Sequence, residues 1–125
     1  MSYDEVVRIT KHATLNIEAI IVDPIIANNK KYGLSTKFAD AVACGTPFLL
    51  YAPKEMVESI IATKNACAFV VNDKKDLVDT LKMALFDFEK REQQLDNAKA
   101  TKDKFFDNKI NIEMFNKAIE TACCR

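Results

Sequence analysis

Between Gly33 and Asp40 the sequence reads GLSTKFAD, and these residue types at this spacing make an anion seat. Gly33 allows a tight turn, Ser35 and Thr36 bring two hydroxyls to the start of a helical pattern, and Lys37 adds a cation. At a helix start they join backbone N–H groups that lack intrahelical acceptors and the positive end of the helix dipole. A phosphate fits there. Asp40 follows Thr36 by four residues, one turn along the same face and about 6 Å away. A carboxylate so placed can accept both hydroxyls of a ribose. The same residues have a plainer reading, with Ser35 or Thr36 as N-cap, Gly33 as turn residue and Lys37 with Asp40 as a surface pair.

The elements around this segment alternate. Ile17–Val22, Pro47–Ala52 and Cys67–Val71 are near-continuous apolar runs, the form taken by strands covered on both faces of a parallel sheet. Between and after them, Phe38, Ala39, Val42 and Ala43, then Met56, Val57, Ile60 and Ile61, then Leu77, Val78, Leu81, Ala84 and Leu85 recur at helical spacing. Gly45 before Pro47 predicts a left-handed helix stop, Pro53 suits a first helical turn, and Asn72 or Asp73 can cap the helix through Leu85. A further helix is expected over Asp4 to about Ala13. From Asp87 the chain turns polar, reading as a solvated helix with a thin stripe of Phe88, Leu95 and Ala98. A last helix after Asp107 and Asn108 carries Ile112, Phe115 and Ile119. The fold class is therefore α/β, a partial three-layer Rossmann-like parallel sheet of about three strands with a helical C-terminal tail. It forms a single domain over 1–125, with an α/β core at 1–86 and the tail at 87–125. Ile17–Val22 becomes an edge strand, which points to a fragment or to a partner.

Composition narrows the function. The 125 residues are 49% apolar and 29% charged, as in one globular domain, and 18 basic residues balance 18 acidic ones. No basic excess is available for nucleic acid, and no apolar run approaches the ~18 residues of a transmembrane segment. A cytoplasmic location follows, with a membrane-peripheral one open through a full-length enzyme. Cys44, Cys67, Cys123 and Cys124 lack metal-ligand spacing and read as reduced structural thiols. His12, the sole histidine, reads as a surface residue, Lys54 and Glu55 as solvated residues at the ligand end of the sheet, and Tyr51 as core.

Lys31 to Glu55, KYGLSTKFADAVACGTPFLLYAPKE, resembles the donor-binding signature of GT-B glycosyltransferases of the retaining group 1 family. Gly33, Leu34, Lys37, Gly45 and Pro47 match in register; Ser35 stands for the proline of that signature, Thr36 for its serine and Asp40 for its glutamate. Tyr32 stands where the glutamate-x7-glutamate form has its first acid. The resemblance continues at Asp76, Leu77 and Leu81 and over Phe105 to Ile119, and so covers most of the chain. It implies the C-terminal part of a domain that holds a nucleotide-diphosphate sugar, with Gly33, Leu34, Ser35, Thr36 and Lys37 on the diphosphate and Asp40 on the ribose. It implies metal-independent chemistry without a cofactor. It also implies a missing N-terminal acceptor domain or a partner subunit, with a homodimer as another arrangement, so that this chain alone is not expected to catalyse. The alternative is a non-catalytic α/β interaction domain derived from the same fold.

Overall fold

A computed structural model describes residues 2–20, 25, 28 and 33–123. Its elements run α1 (Tyr3–His12), β1 (Asn16–Ala19), α2 (Thr36–Cys44), β2 (Phe48–Tyr51), α3 (Val57–Asn65), β3 (Phe69–Val71), α4 (Leu77–Phe86), α5 (Phe88–Phe105) and α6 (Asn108–Cys123). The three strands form one parallel sheet in the order β1-β2-β3, with Glu18 opposite Leu50 and Leu50 opposite Val70. The chain is thus α/β with a partial Rossmann-like sheet.

Local chemistry sets the boundaries. Ser2 and Glu5 form a reciprocal capping box on α1, the Ser2 side chain accepting from the Glu5 N–H and the Glu5 carboxylate from the Ser2 N–H. The carbonyl of Thr10 near the other end of α1 accepts from the side chains of Asn16 and Thr46. Gly45 ends α2 at φ 65° and ψ 42°; a Cβ there would meet nothing within 4 Å, so the glycine serves the backbone conformation and not a close approach. Ala66 ends α3 in the same left-handed region at φ 50°, without glycine's freedom. Pro53 lies ahead of α3, its carbonyl accepting from the Met56 N–H in the turn that leads into the helix. Asp73 caps a short 3-10 turn, Lys74–Asp76, that runs into α4, and Asp87 caps α5 through the Lys90 N–H.

β2 lies between the other two strands, which is why its residues Phe48, Leu49 and Leu50 are all at most 2% exposed. Successive side chains of a strand point to opposite faces. Phe48 and Leu50 join Phe38, Ala41 and Val42 of α2, Ala62 of α3 and Ala98 of α5. Leu49 joins Phe69 and Val71 of β3 and Ala84, Leu77 and Leu81 of α4. The rings of Phe38 and Phe48 meet edge to face at 5.6 Å.

Two expectations change. β1 is not covered on both faces: Ile17 is 58% exposed and Ala19 is exposed, because the cluster around α4 reaches β2 and β3 but takes only Leu15 from the β1 end. Ile20 is buried just past the strand, and Ile21 and Val22 lie outside the described residues. In α5 the buried stripe is Gln94, Ala98 and Thr101, while Phe88 is exposed; this helix packs on α2, α3 and α4 through small and polar groups. α6 matches its expected span and buries no residue. Among the described residues, no helix is long and apolar enough to cross a membrane.

Candidate functional site

Beyond the carboxyl end of β1 lies a pocket of about 370 Å³, bordered by Glu18, Ile20, Gly33, Leu34, Ser35, Thr36, Lys37 and Glu58. Five of the six residues expected at the seat, Gly33 to Lys37, line it. Asp40 does not: it sits one turn into α2, and its Oδ1 is 3.5 Å from the hydroxyl of Tyr3 in α1, a long contact for a hydroxyl donor. Tyr32 and most of the connection before Gly33 lie outside the described residues.

Ser35 is the N-cap residue of α2, with the extended backbone (φ −68°, ψ 132°) that a cap adopts. Its side chain nevertheless makes no capping bond. The hydroxyl donates to Oε1 of Glu18 at 2.8 Å, and the Ser35 N–H donates to Oε1 of Glu58, also at 2.8 Å. Glu18 comes from β1 and Glu58 from the first turn of α3, where the helix dipole favours a carboxylate. Strand β1 and helix α3 therefore meet on one serine.

These bonds change the expected seat. Of its two hydroxyls, that of Ser35 is committed to Glu18, whereas Thr36 and Lys37 are exposed and their side chains have no partner among the described residues. The pocket border is also acidic. Glu58 is 3% exposed, and Oε2 of both Glu58 and Glu18 is buried without a donor among the described residues. Neither carboxylate forms an ion pair among the described residues. The pocket border thus carries the hydroxyl residue Thr36 and the cation Lys37 together with the two acids Glu18 and Glu58. Among the described residues no group of three or more metal-ligating side chains converges.

Glu18 and Glu58 escaped the reading of the sequence. Each was signalled by a charged residue inside an apolar run, IEAII for Glu18 and MVESII for Glu58; a carboxylate in such a run is buried only if something holds it. Lys54 and Glu55 are exposed in the turn before α3 and do not border the pocket. His12 is exposed at the end of α1, and Tyr51 is half-buried against the α4 side of the sheet.

Comparison with protein-family models, with curated proteins and with solved structures returns no match for this chain.

Proposed function

We propose that the chain is the nucleotide-sugar donor-binding portion of a GT-B glycosyltransferase of the retaining group 1 type, acting on an unidentified acceptor. The observation that carries the reading is the pocket at the first turn of α2, which has no side-chain cap, with Thr36 and Lys37 on its border and without side-chain partners among the described residues. Open α/β sheets take their ligands outside the carboxyl ends of the strands, which is the end this pocket occupies. The signature around Gly33 to Asp40 supplies the ligand class. In this reading the sheet belongs to a three-layer domain, and an N-terminal acceptor domain or partner subunit completes the enzyme. A homodimer is the other arrangement, and the location is cytoplasmic or membrane-peripheral.

The chemistry suits the residues. Departure of a nucleoside diphosphate from an oxocarbenium-like centre builds negative charge on the leaving phosphate. Fixed N–H donors and the Lys37 ammonium stabilise that charge more in the transition state than in the ground state. Gly33 and Leu34 bring the backbone close to the diphosphate, and in this reading the ribose extends past the pocket border to reach Asp40 one turn into α2.

A thermal-shift panel of UDP, GDP, dTDP, their sugars and inorganic pyrophosphate tests this. A ligand at 100 times its dissociation constant stabilises by about 2.7 kcal/mol. Lys37→Ala is expected to weaken every diphosphate about equally, because it removes a charge contact. Absence of any shift overturns the reading for this chain. A second reading, a non-catalytic interaction domain, is favoured by one observation: buried carboxylates form a wall of the pocket while Asp40 stays off it. Such a domain ignores the whole panel.

A further inference from the structure

A serine at an N-cap ordinarily turns its oxygen onto the N–H of the second or third helical residue, here Lys37 or Phe38. Ser35 has the cap backbone and the cap residue type, yet no capping bond. The difference is Glu18, whose Oε1 accepts a hydrogen bond from the Ser35 hydroxyl at 2.8 Å from a strand 17 residues upstream. Glu58 fixes the other half of the residue by accepting its N–H. Glu58 is 3% exposed and borders the pocket, and its Oε2 is buried without a donor among the described residues. The acid that fixes the Ser35 backbone at the start of α2 therefore has one oxygen with no donor among the described residues.

We infer that Glu18 is a positioning residue: it draws the Ser35 hydroxyl off its own helix, and so keeps the first-turn N–H groups of α2 open to an anionic ligand. Glu58 holds the Ser35 backbone so that those N–H groups face the pocket. The ligand half of the inference rests on the donor-binding reading; the half concerning the amides does not. The positioning role uses the carboxylate as a hydrogen-bond acceptor. Its negative charge opposes a diphosphate, and the exposed ammonium of Lys37 offsets that opposition.

Four forms of the chain separate these roles: wild type, Glu18→Ala, Glu18→Gln and the double variant Glu18→Ala/Ser35→Ala. Amide hydrogen exchange is followed at Lys37 and Phe38, and inorganic pyrophosphate and UDP are titrated in parallel. In Glu18→Ala the released serine caps its helix. Exchange at Lys37 or Phe38 slows and pyrophosphate binds about fivefold more weakly, the factor that a cap of ordinary strength represents. Glu18→Gln keeps an acceptor and removes the charge; it binds pyrophosphate at least as tightly as wild type. The double variant has no hydroxyl to cap with, and both exchange and binding return toward wild type.

Unchanged exchange at both amides in Glu18→Ala overturns the positioning role whatever the ligands do. So does a loss of pyrophosphate binding that Ser35→Ala fails to restore, which is the signature of damage to the fold. Wild type that ignores pyrophosphate and UDP, with the exchange pattern as described, overturns the donor-binding reading and supports the role of Glu18 in opening the helix end.

Discussion

The side-chain amide of Gln94 donates to the carbonyl of Cys67 at 2.6 Å, joining the middle of α5 to the residue just ahead of β3. Both residues are buried. A helix that reads as solvated is thus tied into the sheet by a hydrogen bond in its buried stripe. Gln94→Ala removes the donor and leaves the carbonyl without it, at an expected cost of about 1–3 kcal/mol. Urea denaturation reads this as a lower midpoint at unchanged slope. A loss below about 0.5 kcal/mol, the range of surface substitutions, would assign this hydrogen bond no part in holding α5 to the sheet.

Asp40 gives a second test, because its contact with Tyr3 is long and solvent-facing. Tyr3→Phe is expected to leave stability within about 0.5 kcal/mol of wild type, as for other surface changes. Asp40→Ala is expected to weaken UDP severalfold in a titration while sparing inorganic pyrophosphate. Equal losses for both ligands would mean that Asp40 acts through the α1–α2 packing and not through a ribose.

Cys67 is a third. Burial pushes its thiol above the ordinary range, more than its contact with the Thr101 hydroxyl lowers it. A thiol whose folded pKa lies above its unfolded one contributes stability that is complete below the unfolded value and is lost as pH rises from there through the folded value. Stability should therefore decline above about pH 8.5, where an unfolded cysteine ionises, and less so in Cys67→Ala. With a thiol reagent at pH 8, Cys123, which is exposed, and Cys44, which is half-buried, should react in the native protein. Cys67 should react only on unfolding; its labelling at the same rate would contradict its burial.

The fourth concerns α6, which buries no residue and exposes Ile110, Ile112, Met114, Phe115 and Ile119. A chain ending at Asp107 is expected to keep the cooperative transition and midpoint of the parent within a few degrees. Under the homodimer arrangement, sedimentation at low micromolar concentration finds the parent dimeric and the shortened chain monomeric. A monomeric parent would discard that arrangement.

What could be read from the sequence followed local rules. Gly45 before Pro47 marks the end of α2 because a left-handed stop needs a residue without Cβ, and the apolar run of β2 marks a strand covered on both faces. Gly33 to Lys37 could be placed on one pocket because consecutive residues at a helix start share it. What stayed hidden depended on meetings across the chain. Glu18 and Glu58 look like isolated charges until β1 and α3 bring them to one serine, and the Gln94, Ala98 and Thr101 stripe is invisible to a search for large apolar residues. β1 misled in the other direction: its apolar residues suggested cover on both faces, but Ile17, which shares a face with its partner Leu49, is 58% exposed because α4 covers that face over β2 and β3 and does not extend to β1.

The Ser35 junction has a consequence for how the molecule assembles. Each strand lies beside its successor in the chain, so β1–α2–β2 and β2–α3–β3 are two units that share only the middle strand. Glu18 enters from the first unit and Glu58 from the second. Neither unit alone contains the acid wall, and the loop before α2 gains its second anchor only when α3 has docked. The pocket border is therefore shared between the two units, and a chain ending between β2 and α3 lacks Glu58 and with it the second anchor of Ser35.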